Sequence, residues 1–286
     1  MTGPKVPLRA RFLNKIRRLY RGGALEAFIA RKGRSSGSPL WRSLTPGHNL
    51  YEPDAIRTFA HDGLEWNVDV SDYIGHGVYF GLDRTTERLF SLAEPDFITF
   101  DVGANIGWTA LNLARRCPAG QVIAFEPDTR NHRKLVENVR LNSLANLSVE
   151  RLGLADHPSR SRMIVENERN SGGNRISDDP AGTIELTTID DYCSAKQIPR
   201  LDLLKIDTEG FEERIVRGGI DRLRQDRPII YIEVNSDHLH RYGSTVSSLI
   251  NLLREIGYPH FEIAETGEVV EDPLNLTGRH VDLIVR

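Results

Sequence analysis

From residue 97 to its end the chain alternates short apolar runs with longer amphipathic ones, and this alternation constrains its fold more than any other feature. The runs FITFDVG, QVIAFEP, LSVERLGLA, IELTTI, LDLLKID, PIIYIEV and VDLIV have the length and branched-apolar content of buried strands. Residues 110–115, 129–142, 212–223 and 246–256, lying between them, read as helices. Strands that alternate with helices make a mainly parallel sheet with helices on both faces. The sequence therefore predicts a doubly wound α/β domain over residues 96–286. Within it, residues 156–182 are rich in Asn and Gly and read as a long polar loop, of the kind that often forms a lid or binding loop.

The first hundred residues read differently. Residues 41–95 are expected to form a small cap, with strand-like alternation in WNVDVSDYIGHGVYF broken by Gly75 and Gly77. Residues 31–47, rich in Gly, Ser and Pro, read as a linker, so that residues 1–40 are a basic leader followed by that linker. In the leader, Phe12, Ile16, Leu19 and Tyr20 recur at helical spacing among Arg11, Lys15, Arg17, Arg18 and Arg21, the pattern of a basic amphipathic helix.

Charge is divided along the same line. The net charge is −3, but residues 1–34 hold ten Lys or Arg against the single acid Glu26, or +9, which leaves −12 for the rest. The leader suits an anionic membrane surface or an acidic carrier, or is simply solvated. The acidic remainder disfavours a long phosphate track, so no nucleic-acid partner is expected. No run approaches a membrane-spanning length, and no apolar core follows the first basic residues, which points to a cytoplasmic protein. Cys117 and Cys193 lack the spacing of a zinc or disulfide framework.

The most informative residues are Asp101, Gly103, Asn105 and Gly107 in DVGANIG, where an apolar strand turns into a helix. Glycines there let the backbone approach a ligand, while the helix start offers free N–H groups and a positive dipole end. The glycines stand four apart, so the GxGxxG phosphate cradle of dinucleotide enzymes is missing. An acid beside the turn suits the ammonium of an amino-acid ligand better than a pyrophosphate, and methionine carries one. Glu126, ending the next strand, is placed to accept both hydroxyls of a ribose. Asp156, in GLAD, is a weaker candidate for contact with an adenine, or a plain turn residue.

DVGANIG, the later FEP and above all LLKIDTEGFE together resemble the FkbM-type family of S-adenosylmethionine-dependent methyltransferases, over roughly residues 64–264. The resemblance implies a seven-stranded Rossmann-like sheet of the class I methyltransferase type, S-adenosylmethionine as cofactor, and O-methylation of a hydroxyl on a sugar, glycan or natural product. It implies that Asp101, Gly103, Asn105 and Gly107 hold the methionine part and Glu126 the ribose. Where family members often carry an acid after the aromatic that precedes the sheet, this chain has Gly81 after Phe80.

Methyl transfer from a sulfonium is an in-line displacement, so the enzyme must align an oxygen and help remove its proton. Asp207, ending the LDLLKID strand, is the expected proton acceptor, with Lys205 and Glu209 on its side of the chain and Glu233 and Asn235 closing the adjacent strand. Lys205, Asp207 and Glu209 also read as a buried ion-pair network that fixes the turn. His238 is a reserve candidate for the base. Asp207 with Glu233 or Asn235 would suit a divalent cation, but no spacing compels one and no metal ligand is assigned. An NAD(P)-dependent oxidoreductase and a non-catalytic scaffold of the same fold are the competing readings.

Overall fold

The computed structural model describes residues 8–36, 38–82, 85–272, 276 and 278–286, with side chains described from residue 14 onward; the first seven residues of the basic leader lie outside them. The chain divides into two compact units. The first comprises the described residues up to 82 together with Asn167–Gly172, and the second comprises Thr85–Glu166 and Gly173–Arg286. Among the described residues no helix is long and apolar enough to cross a membrane.

The first unit opens with helices α1 (Leu8–Leu19), α2 (Ala24–Ser36) and α3 (Pro39–Leu44), followed by the hairpin β1 (Ile56–His61) and β2 (Leu64–Asp69) and by helix α4 (Tyr73–Phe80). Two expectations are corrected here. Residues 31–47 are largely helical, because Ser38 caps α3 ahead of Pro39, and because Gly33 is an approach point in α2: a Cβ there would stand 2.3 Å from the Phe80 carbonyl oxygen. The stretch after β2 is a helix instead of a strand, because the Asp72 carboxylate accepts the Ile74 and Gly75 N–H groups and starts α4. Gly81, at φ +65, ends that helix in the left-handed conformation. A buried carboxylate ties the unit together, with Glu26 accepting from Arg57 Nε at 2.7 Å, the Tyr51 hydroxyl at 2.8 Å and the Gly22 N–H at 2.8 Å.

The second unit holds α5 (Thr86–Phe90), β3 (Ile98–Val102), α6 (Trp108–Arg116), β4 (Gln121–Phe125), α7 (Thr129–Asn142), β5 (Leu147–Glu150), β6 (Gly153–Leu154), β7 (Ser159–Ile164), β8 (Arg175–Asp178) and β9 (Ile184–Thr187). It continues through α8 (Ile189–Lys196), β10 (Leu203–Ile206), α9 (Glu212–Arg217), α10 (Ile220–Asp226), β11 (Ile229–Asn235), α11 (Ser236–Arg241), α12 (Val246–Ile256), β12 (Phe261–Ile263) and β13 (His280–Val285). The main sheet has seven strands in the order β12-β13-β11-β10-β3-β4-β5, and only β13 runs against the rest. The expected doubly wound, mainly parallel fold is present.

Strand alternation divides the sheet into two faces. Phe100, Val102, Ile123, Phe125, Leu204 and Ile206 enter a core shared with α8, α9, α10 and α12. The residues between them, including Asp101 and Lys205, point to the face of α6, where Thr109 meets Asp101. The polar stretch 156–182 is more ordered than its composition suggested: β7 and β8 pair antiparallel in a second sheet of order β6-β9-β7-β8. Leu154, Ile176, Ile184 and Leu186 of that sheet are buried in the same core. IELTTI therefore belongs to this smaller sheet, and β12, which the sequence reading passed over, supplies the seventh strand of the larger one. The expected helix 212–223 is broken at Gly218 and Gly219 into α9 and α10; a Cβ on Gly218 would lie 2.0 Å from the Ala155 carbonyl oxygen.

Candidate functional site

The chain leaves β3 toward β4 and β5 on one side and returns to β10 on the other, so the sheet order reverses between β3 and β10. Ligands of doubly wound folds bind outside the carboxyl ends of the strands at such a point. Register then brings the candidate residues together: Asp101 on β3 pairs with Lys205 on β10, which pairs with Tyr231 on β11, while Glu233 on β11 lies opposite Asp282 on β13.

Asp101 and Lys205 are both buried. The Lys205 ammonium lies 3.1 Å from Asp101 Oδ1 and 3.6 Å from Asp207 Oδ2, and donates to the carbonyl oxygens of Gly103 at 2.9 Å and Val102 at 3.3 Å. The Thr109 hydroxyl donates to the other oxygen of Asp101. Burial disfavours the Lys205 charge, but Asp101 and Asp207 outweigh it and hold the ammonium more firmly protonated than usual. Asp101, expected to meet an ammonium ligand directly, is thus engaged from beneath the turn by the protein's own cation.

Gly103, Asn105 and Gly107 all have positive φ, at +80°, +49° and +97°. A Cβ on Gly103 would stand 1.9 Å from the Asp207 carbonyl oxygen, and one on Gly107 would stand 2.5 Å from Leu135 Cδ1 and 2.6 Å from Leu111 Cδ1. Both glycines are required by the packing of the protein on itself, which shapes the turn from below. Asn105 holds the left-handed conformation with a side chain, and its N–H donates to Glu126 Oε2 at 2.8 Å, while the Asp128 N–H donates to Oε1 at 2.9 Å. Burial pushes Glu126 up to about 7 against those two hydrogen bonds.

The other side of the site is a cluster of carboxylates and imidazoles. The Asp207 side chain is 49% exposed, and partial desolvation pushes it up to about 6, Lys205 opposing and Glu233 and Asp101 adding repulsion. Glu209, at φ +59, is pushed to about 7 by burial and by Glu233, and lies 2.9 Å from His238 Nδ1. Glu233 Oε1 lies 2.6 Å from His280 Nε2, and its other oxygen 3.8 Å from His238 Nδ1. Burial would raise Glu233, but hydrogen bonding and charge from the two histidines outweigh it and hold the carboxyl at about 2. Reciprocally, the bond to Glu233 raises His280 to about 9. Behind the turn, Glu212 Oε1 accepts from the Thr208 and Gly210 N–H groups at 3.0 and 3.1 Å, fixing the shape of the TEG segment.

Sequence reasoning missed Asp282 and His280, both on β13. Asp282 accepts from the Tyr231 hydroxyl at 2.8 Å and is pushed up to about 7 by burial and by Asp207. An Asp inside the otherwise apolar VDLIV was the one signal that marked this strand. Asp156 has a partner within the protein. It follows β6 of the smaller sheet instead of the third parallel strand, and is paired with Arg214 Nε at 2.9 Å. His238, by contrast, faces the cluster and not solvent. Among the described residues no group of three or more His, Cys, Asp or Glu side chains is arranged to hold a metal ion.

The donor set fits a sulfonium amino acid carrying a nucleoside. Each oxygen of the buried Glu126 takes one backbone N–H, so each keeps a lone pair for a ribose hydroxyl, and α6 starts nearby at a positive helix end, although the N–H groups of Gly103, Ala104, Asn105 and Gly107 are themselves taken by Phe125, Glu126 and Ala104. A seven-stranded sheet with one reversed strand near its edge and a glycine turn at its switch point is the architecture of class I methyltransferases. A family model described as the methyltransferase FkbM domain matches residues 101–259, and the chain belongs to this family of S-adenosylmethionine-dependent methyltransferases. The 2-O-methyltransferase NoeI of Sinorhizobium fredii is 28% identical over 197 residues, 63% of this chain and 79% of the relative. The hexuronic acid methyltransferase AglP of Haloferax volcanii is 25% identical over 148 residues, 52% of this chain and 60% of the relative. A solved FkbM methyltransferase from Methylobacillus flagellatus aligns with 97% of this chain and 59% of its own at a TM-score of 0.44 and 15% identity. Family membership decides for the methyl donor over a nicotinamide dinucleotide.

Proposed function

We propose that this methyltransferase acts on a hydroxyl oxygen of a sugar, glycan or related natural product. The observation that carries the reading is Asp207: a half-exposed carboxylate at the switch point, 3.6 Å from the buried Lys205 ammonium and raised above the usual carboxylate range, so that it is accessible to an acceptor and able to take a proton. Two relatives named for 2-O-methylation and for a hexuronic acid support a sugar acceptor.

In this reading the bound cofactor supplies an electrophilic methyl group. Glu126 holds the ribose hydroxyls, and the positive helix end at the start of α6, set by the turn of residues 103–107, faces the amino-acid part. Asp101 acts as a positioning residue, since it fixes Lys205, which in turn fixes Asp207 and the Gly103 carbonyl. The acceptor hydroxyl loses its proton to Asp207 as its oxygen takes the methyl group. Glu209, Glu233 and the two histidines surround the acceptor side.

The test is Asp207→Asn, with transfer of a labelled methyl group to hydroxylated saccharides followed as a function of pH. The expected loss is about 10²- to 10⁴-fold in rate, with S-adenosylhomocysteine affinity unchanged, and a parental rate that climbs through pH 6. A variant as active as the parent would remove Asp207 from the chemistry, and label that enters only amine acceptors would overturn the acceptor class.

A further inference from the structure

We infer that the three N-terminal helices form a docking surface for an anionic lipid membrane. Each helix exposes an apolar pair at a spacing that puts both members on one side: Ile16 and Leu19 on α1, Leu25 and Phe28 on α2, Leu40 and Leu44 on α3. Their exposure runs from 36% at Leu44 to 86% at Leu19, whereas the adjacent stripe of α2 buries Ile29, Ala30 and Gly33. Isolated exposed leucines are ordinary, but pairs on three adjoining helices are not.

Side-chain contacts hold the helices next to one another. Arg17 donates to the Ser43 carbonyl and the Tyr20 hydroxyl to the Leu44 carbonyl, which joins α1 to the end of α3. The Trp41 ring meets the Phe28 ring at 5.6 Å, which joins α3 to α2. Apolar tips and basic groups are interleaved, with Arg31 and Lys32 lying over the Phe28 ring at 5.7 and 5.8 Å.

Charge names the partner. The first 51 residues contain eleven Lys or Arg and one acid, Glu26. That carboxylate is buried and satisfied by Arg57, Tyr51 and Gly22, so it takes nothing from the positive surface. A basic surface alone would suit any polyanion. Basic groups set among exposed aliphatic side chains suit a surface that is negative at its rim and apolar just beneath it, which is an anionic bilayer.

The experiment is co-sedimentation of the full chain with phosphatidylcholine vesicles, with and without phosphatidylglycerol, at low and high salt. Binding is expected to be at least about tenfold stronger on the anionic vesicles and to fall as salt screens it. The triple variant Leu19→Ser, Leu25→Ser, Leu40→Ser is expected to lose about tenfold or more of that binding. The double variant Lys15→Gln, Arg18→Gln is expected to lose about fivefold per charge. All these side chains are exposed, and matched thermal unfolding checks that the variants keep the parental fold. Equal binding to neutral and anionic vesicles would overturn the proposal. So would anionic binding that the serine variant leaves intact and a soluble polyanion abolishes, since the helices would then hold an acidic carrier.

Discussion

Replacing Lys205 by Met removes the ammonium that lies 3.1 Å from Asp101 Oδ1 and leaves a fully buried carboxylate facing Met. Breaking one side of a buried ion pair costs about 3–5 kcal/mol, mostly because the surviving charge is stranded without solvent. The Gly103 and Val102 carbonyls lose their donor at the same time, which places the expected loss toward the upper end. With a urea dependence of about 2 kcal/mol per molar, the unfolding midpoint should fall by about 2 M. Asp101→Asn is milder, because Lys205 keeps Asp207 at 3.6 Å and the Thr109 hydroxyl can still find an acceptor at residue 101. The double variant Lys205→Met, Asp101→Asn strands no charge, so it should be more stable than Lys205→Met alone by about 1–3 kcal/mol. Urea titration of all four proteins closes this cycle. Losses that simply add, within about 0.5 kcal/mol, would show that the two groups are not coupled and would refute the reasoning.

Gly103→Ala forces a Cβ into the space of the Asp207 carbonyl oxygen, 1.9 Å away, at φ +80°, so it should cost about 2–5 kcal/mol and lower the melting temperature by at least about 5 °C. A variant that melts with the parent would mean that the two strand ends have slack. The Glu233–His280 pair should stabilise the fold most between pH 4.5 and 6.5. Glu233 is lowered from 4.5 to about 2, so its contribution is present above 4.5 and lost as pH falls toward 2. His280 is raised from 6.5 to about 9, so its contribution is complete below 6.5 and lost as pH rises through 9. Stability measured against pH for the parent and for Glu233→Gln should therefore differ most in that window, and a difference that does not vary with pH would contradict the pairing.

The alternation of apolar runs and amphipathic stretches was enough to specify the doubly wound sheet, because each run is too short for a buried helix and each amphipathic stretch needs a sheet face to cover. Thr129–Asn142 and Val246–Ile256 begin where their N-caps, Asp128 and Thr245, dictate locally. DVGANIG and KIDTEG were legible for a similar reason, since both sit at strand ends where glycines interrupt a strong pattern. Where glycine has two uses, sequence could not choose between them: Gly75 read as a strand break and Gly33 as part of a linker, but each accommodates neighbouring backbone, the Asp69 carbonyl and the Phe80 carbonyl. The polar hairpin of β7 and β8 was illegible because its few apolar side chains are buried only after the smaller sheet forms.

The site divides in the same way. Asp101, Glu126, Lys205, Asp207 and Glu233 could be named from the chain because each marks the carboxyl end of a readable strand. Their partners could not be named. Lys205 meets Asp101 across 104 positions only because β3 and β10 pair in one register. His280 and Asp282 reach Glu233 and Tyr231 only because β13 inserts against the direction of its neighbours, between β11 and β12. Local chemistry is written residue by residue and can be read there, whereas the charge that a buried group meets depends on strand order and register, which only the assembled sheet decides.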